Sequence, residues 1–221
     1  METALVEAAK AKDIQIDIVS FIDTTPIQNS GIKEEIGKII KQPASVVFTS
    51  MNAVNTVAAY INGNTPDWNI FCIGHTTRQL AAKYFGEQSI ITVGNNASEL
   101  ADQMIGNKSV KQVVFFCGDQ RRVELPRKLR QNGIIVQEVI VYHTVNTPHR
   151  IDKEYDGILF FSPSAVQSFF YVNAVLPSTI LFAIGQTTAD ALKTFADNPI
   201  IESEKPGKEE LVKKMFEFFK K

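Results

Sequence analysis

Four apolar runs end in residues suited to holding an anion: SVVF into Thr49-Ser50, IFCI into Gly74-His-Thr76-Thr77, GILFF into Ser162-Pro-Ser164, and LFAI into Gly185-Gln-Thr187-Thr188. Where a strand gives way to a helix, Ser or Thr caps the first turn and leaves backbone N–H groups pointing outward. A glycine at such a junction allows the backbone to approach a ligand closely. Ligands of parallel sheets gather at the carboxyl ends of the strands, so these four ends predict a shared anion-binding cleft. The competing role of Ser50 and Ser162 is capping alone, because serine is a favoured cap.

A different kind of loop follows Gly118. The segment GDQRRVELPRKLR (118–130) is the densest positive stretch, and Gly118 with Arg121 and Arg122, at and beside the turn, are its ligand candidates. Arg127, Lys128 and Arg130 read as a solvated helix face. The loop lacks the Gly-Lys-Ser/Thr ending of a nucleotide-phosphate site, and no complete Gly-x-Gly-x-x-Gly occurs, which argues against a two-lobed glycosyltransferase. His75, His143 and His149 share no metal-ligand spacing with one another or with Cys72 and Cys117. No Gly-x-Ser-x-Gly elbow is present either, so metal and acyl-transfer chemistry are not expected. Tyr142 closes an apolar run; its bland role is packing, and its chemical role is a hydrogen-bond donor or weak general acid toward a leaving hydroxyl.

These residues need strands and helices to position them. The runs IQIDIVSF, SVVF, NIFCIG, SIITVG, QVVFFCG, IIVQEVIVY, GILFF, TILFAIG and NPII alternate with helical patterns, the rhythm of an α/β protein with parallel sheets. Several runs are apolar on both alternating faces, as expected of strands covered on each side. Asn96 caps the helix ASELADQMI, and Leu211, Met215, Phe218 and Phe219 form one stripe of the closing helix.

Sliding the chain against itself reveals duplication. SVVFTSMNAV (45–54) aligns with GILFFSPSAV (157–166), and IFCIGHTT (70–77) with LFAIGQTT (181–188), at nearly equal spacing. NGIIVQEVIVYHT (132–144) aligns more weakly with KDIQIDIVSFIDT (12–24), which puts Ile22 opposite Tyr142. The expected architecture is two similar flavodoxin/Rossmann-like lobes joined by a two-stranded connector. Lobe 1 would be discontinuous (1–24 plus 145–221), and lobe 2 would span 25–144 with the connectors. The same alignment starts the chain about ten residues into a repeat, so lobe 1 is expected to lack its first strand.

Composition sets the outer limits. The 221 residues, 44% of them hydrophobic, suffice for two modest cores. Lys and Arg number 23 against 24 Asp and Glu, so no nucleic-acid or anionic-membrane partner is expected. Two cysteines inside apolar runs suit a reducing compartment, and no signal-peptide core or bilayer-length apolar stretch is seen; the expectation is a cytoplasmic monomer.

The order VVFTSMNAV, IFCIGHTT, GDQRR, VIVYHT, ILFFSPSAV, LFAIGQTTADAL resembles the uroporphyrinogen-III synthase family over nearly the whole chain. The resemblance implies two α/β lobes joined by a two-stranded ladder. It implies a linear tetrapyrrole substrate, hydroxymethylbilane, rich in carboxylates. The reaction removes water through an azafulvene and closes the ring through a spiro intermediate with inversion of ring D. No cofactor or metal is implied. Carried over by position, Tyr142 becomes the proton donor to the leaving hydroxyl, and Ser50, Thr76, Ser162 and Thr187 become carboxylate contacts. There are two departures: the family's opening strand with its Thr-Arg turn is absent, and Phe161 stands where Thr is common. The alternative reading is a non-catalytic paralogue of the same fold that binds a tetrapyrrole or small anion.

Overall fold

The computed structural model of the protein describes residues 2–61, 65–204 and 207–220, with side chains from residue 5 onward. Contacts divide the chain into two compact units, Thr24–Thr144 and a discontinuous one made of Met1–Asp23 and Val145–Lys221. In chain order the helix α1 (Glu2–Lys10) is followed by β1 (Ile22–Pro26), α2 (Ser30–Ile40), β2 (Ala44–Phe48), α3 (Met51–Ala58) and β3 (Trp68–Ile73). Next come α4 (His75–Phe85), β4 (Ile90–Gly94), α5 (Ala97–Gly106), β5 (Gln112–Gly118), α6 (Glu124–Gln131) and the long β6 (Ile135–Asn146). The chain closes with β7 (Gly157–Phe160), α7 (Pro163–Phe170), β8 (Ile180–Ala183), α8 (Gln186–Lys193), β9 (Ile200–Glu202) and α9 (Lys208–Phe219).

The contiguous unit is built on a six-stranded sheet of order β1-β6-β5-β2-β3-β4. β2 is parallel to both neighbours, with Val46 opposite Ile70 on one side and Val114 on the other. Alternate residues of β2 and β5 therefore enter different cores: Val46, Phe48, Val114 and Phe116 meet α2, α3 and α4, while Val47, Val113, Phe115 and Cys117 meet α5 and α6. Burial on both faces is why these strands read as unbroken apolar runs. Phe48 stacks on Phe85 and on Phe116, each at 5.5 Å between ring centres.

The discontinuous unit carries a parallel three-stranded sheet of order β7-β8-β9, with α7 and α8 against one core and α1 and α9 against the other. Two sequence expectations change here. The run IQIDIVSF forms no strand; regular pairing starts only at Ile22. Ile14 and Ile16 pack into the α9 core, but Ile18 and Val19 are 58% and 44% exposed, and among the described residues the run has no ladder partner. A strand is stabilised by its neighbour's hydrogen bonds, so alternation alone does not make one. The α9 stripe is centred on Leu211, Val212, Met215 and Phe216, leaving Phe218 38% exposed. The remaining expected strands are present, and Asn96 caps α5 by accepting from the Glu99 N–H.

Candidate functional site

Tyr142 owes its position to a register shift. Along the β5–β6 pair, Cys117 lies opposite Ile140 but Gly118 lies opposite Tyr142, so Val141 is an extra residue, a bulge at the end of the ladder. Bulges re-aim side chains where pairing ends. The Tyr142 ring then lies over Gly118: a Cβ added there would come within 2.5 Å of two ring carbons and 2.8 Å of the phenolic oxygen. The phenol donates to Ser50 Oγ at 3.2 Å. Ser50 in turn caps α3, its Oγ accepting from the Asn52 N–H at 3.1 Å. Gly118, Tyr142 and Ser50 thus form one cluster at the carboxyl ends of β2 and β5.

The phenol borders a cavity of about 630 Å3 within this unit. Its walls are the start of α2 (Asn29, Ser30, Lys33) and one face of α3 (Asn52, Asn55, Ala59), with Thr24 of β1 and Tyr60 completing the lining. Tyr60 ties the end of α3 to the loop before α2 by donating to the Ile27 carbonyl at 3.0 Å. Sequence reasoning missed these walls because it followed strand ends with glycine or serine, whereas the α2 start follows β1 through Gln28-Asn29. The available signal was Asn29 itself, which caps α2 by accepting from the Ile32 N–H at 2.8 Å.

The four strand ends differ in detail. Ser162 caps α7, accepting from the Ala165 N–H at 3.1 Å, just as Ser50 caps α3. Thr49 and Ser164 are half-buried beside those caps. Gly74 and Gly185 precede α4 and α8 with no side-chain cap, so the leading N–H groups of both helices are left for solvent or ligand. Gly74 has φ of +81°, a conformation that favours glycine, and a Cβ added at either glycine would meet only open space. Thr76 and Thr187 face outward. Thr77 and Thr188 do not: they are 7% and 0% exposed, one helical step of about 100° carrying the second threonine of each pair inward. Their side chains pack inward, which leaves only their backbone N–H groups as ligand contacts, and Thr188 Oγ1 has no hydrogen-bond partner among the described residues.

The basic loop is knitted into the protein rather than left free. Arg121 Nε donates to Glu138 at 2.5 Å, and Arg130 reaches the other oxygen of that carboxylate at 2.7 Å. Lys128 bonds Asp102 at 2.7 Å and Ser98. The expectation of a merely solvated face therefore fails for Lys128; Arg130 is exposed as expected yet also ion-paired, and Arg121 is an ion-pair member before it is a ligand contact. Arg122 is exposed and forms no ion pair among the described residues. Burial alone would raise the Glu138 carboxyl, yet the two guanidinium groups outweigh it and hold its pKa below the ordinary 4.5. Asp119 shows the same contest: burial opposes ionisation, but the Thr144 N–H and the His143 ring, both at 3.0 Å, pull its pKa down. These bonds fix the strand on either side of Tyr142. Burial pushes the Cys72 thiol up to about 11 and Cys117 up to about 12, so neither is poised as a nucleophile. Among the described residues no three His, Cys, Asp or Glu side chains cluster as metal ligands, and no helix is long and apolar enough to cross a membrane.

Fold and site define a two-unit α/β protein with hydroxyl, amide and backbone N–H groups at the ends of parallel strands, where the ligands of such sheets gather. The sequence profile of the family described as Uroporphyrinogen-III synthase HemD matches residues 3–213, and the chain belongs to that family. Its activity is that of a hydro-lyase of tetrapyrrole and haem biosynthesis. Two crystal structures share the fold. A uroporphyrinogen-III synthetase from Helicobacter pylori is 16% identical over 90% of this chain and 92% of its own, with a TM-score of 0.64. A mutant uroporphyrinogen III synthase from Thermus thermophilus is 16% identical over 98% of this chain and 92% of its own, with a TM-score of 0.59.

Proposed function

We propose that the chain dehydrates and cyclises hydroxymethylbilane, with Tyr142 giving the proton to the leaving hydroxyl. The observation that carries this is the Tyr142 phenol, held between Gly118 and Ser50 on the rim of a cavity. On substrate binding the phenolic proton turns from Ser50 Oγ to the hydroxyl of the terminal pyrrole. The carbon–oxygen bond breaks with its electron pair going to oxygen, water leaves, and the pyrrole nitrogen lone pair, its N–H kept, gives the protonated azafulvene beside the phenolate. A serine hydroxyl both accepts and donates, so Ser50 can rotate to donate to the phenolate left behind. Ring closure returns a proton from the pyrrole system to Tyr142.

Ser50, Thr76 and the backbone at Gly74 serve as carboxylate contacts in one unit, and Ser162, Thr187 and the backbone at Gly185 in the other. Their role is positioning of the chain and stabilisation of developing charge by fixed dipoles. Balanced charge and two buried free cysteines support a reducing, cytoplasmic setting with no nucleic-acid partner.

The test is to supply enzymatically generated hydroxymethylbilane, oxidise the products and separate uroporphyrins I and III. Isomer III in excess supports the reading; isomer I alone, at the spontaneous rate, overturns it. Tyr142→Phe is expected to lower kcat by roughly 10- to 100-fold, at or below the ~100-fold floor of general acid catalysis, because much of the chemistry is intrinsic to pyrroles. Unchanged kcat in that variant removes Tyr142 from the role.

A further inference from the structure

The cavity beside Tyr142 has one ionised lining residue, Lys33, and no carboxylate. Lys33 is exposed and forms no ion pair among the described residues, while the acids beside it are engaged elsewhere: Glu34 with Lys38, and Glu35 as acceptor from Gln137. The first turn of α2 contains no acidic residue, and a cation there opposes the positive end of the helix dipole.

The facing wall has the same unfinished character. Asn52, Asn55, Thr56 and Ala59 recur at helical spacing and form the cavity side of α3, while Ala53, Val54 and Val57 are buried against the sheet. Asparagine is a poor residue within a helix, and two of them in this short one cost local stability. Asn52 is anchored through its backbone N–H, which Ser50 Oγ accepts, so its carboxamide is not needed to hold the helix. A cation and two carboxamides converging on a cavity free of opposing negative charge match a carboxylate ligand.

We propose that this cavity is a carboxylate subsite in which Lys33, Asn52 and Asn55 grip the acidic arms of the pyrrole that carries the leaving hydroxyl. The inference rests on Tyr142 acting as proton donor, since that phenol fixes which ring lies at the cavity. Lys33 supplies charge, α3 supplies amide hydrogens, and Ala59 leaves room for the ring. Lys33 is thus a binding and orienting residue for the dehydration step.

The experiment is steady-state kinetics of the full chain with hydroxymethylbilane, paired with calorimetric titration of uroporphyrin III, a carboxylate-rich probe that needs no turnover. Lys33→Gln is expected to raise KM and weaken uroporphyrin binding by about fivefold, the scale of one solvent-accessible ion pair, with a smaller change in kcat. Lys33→Arg restores both. Ala59→Phe, on an exposed position, raises KM by filling the cavity and leaves the unfolding temperature unchanged. Lys41→Gln, at the far end of the same helix and outside the cavity lining, separates a local contact from general electrostatics. The subsite is overturned if Lys33→Gln and Ala59→Phe keep KM and uroporphyrin affinity within about twofold of the parent, or if Lys41→Gln weakens binding as much. Either result leaves the synthase reading standing so long as the parent makes isomer III; a parent that binds uroporphyrin through Lys33 but makes only isomer I sinks the synthase reading and, with it, the assignment to the hydroxyl-bearing ring, keeping only a carboxylate site at Lys33.

Discussion

At the scale of single residues, Gly118 is where sequence and structure diverge most usefully. In sequence it is the turn glycine that opens a basic loop and a ligand candidate; in the structure its missing Cβ is the space occupied by the Tyr142 ring. Its φ is not in the left-handed region, so alanine there costs a steric displacement rather than backbone strain. Gly118→Ala is therefore expected to lower kcat by roughly 10- to 100-fold through a misplaced phenol. Adding it to Tyr142→Phe should cost little more, and a fully additive double variant would show that Gly118 acts elsewhere. Glu138 gives a second residue-scale expectation. Its folded pKa lies below 4.5, so the unfolded chain binds more protons in the acid range. The stabilisation is present above about 4.5 and is lost as pH falls through the folded value. Thermal unfolding followed across that window should fall less steeply for Glu138→Gln, which is already destabilised at neutral pH, than for the parent. Neither partner of Glu138 was evident in sequence, because Arg121 and Arg130 meet it only once α6 turns the chain back along β6.

Elements obey rules that the sequence carries locally and partners that it does not. Ser50, Asn96 and Ser162 were legible as caps because each sits just before an apolar-periodic helix, and each accepts an N–H of the first turn. The duplicated Thr-Thr turns were legible as a pair, but which threonine faces out follows from the helix rotation after Gly74 and Gly185. That rotation buries Thr188 with an unpartnered hydroxyl. Thr188→Val should therefore be neutral or stabilising by up to about 1 kcal/mol, with activity kept, since it removes a buried unpaired hydroxyl without changing shape. Thr187→Val should raise KM with little change in unfolding temperature. The opposite assignment of effects would reverse the inward and outward roles. IQIDIVSF failed as a strand for a reason outside the segment: its alternation was right, but no neighbouring strand among the described residues completes its ladder.

For the whole molecule, the contrast lies between a contiguous unit with a six-stranded sheet and a discontinuous one with a three-stranded sheet. In the first, β2 and β5 have neighbours on both sides and are buried on both faces; in the second, β7 is an edge strand with only Phe160 fully buried. Native-state hydrogen exchange should then find its slowest amides in Val46–Phe48 and Phe115–Phe116, with Gly157–Phe160 exchanging faster; equal protection would mean that both units open together. The α/β class, most strands, the helix caps and the family could all be read from the chain before any coordinates, because they depend on hydrophobic period, local hydrogen-bonding chemistry and ordered motifs. The seat of Tyr142 over Gly118, the pairing of Arg121 with Glu138 and the Lys33 cavity emerged with the folded arrangement. Each joins residues distant in sequence, and no local pattern records a register shift, a meeting of distant side chains or the space left between two helices.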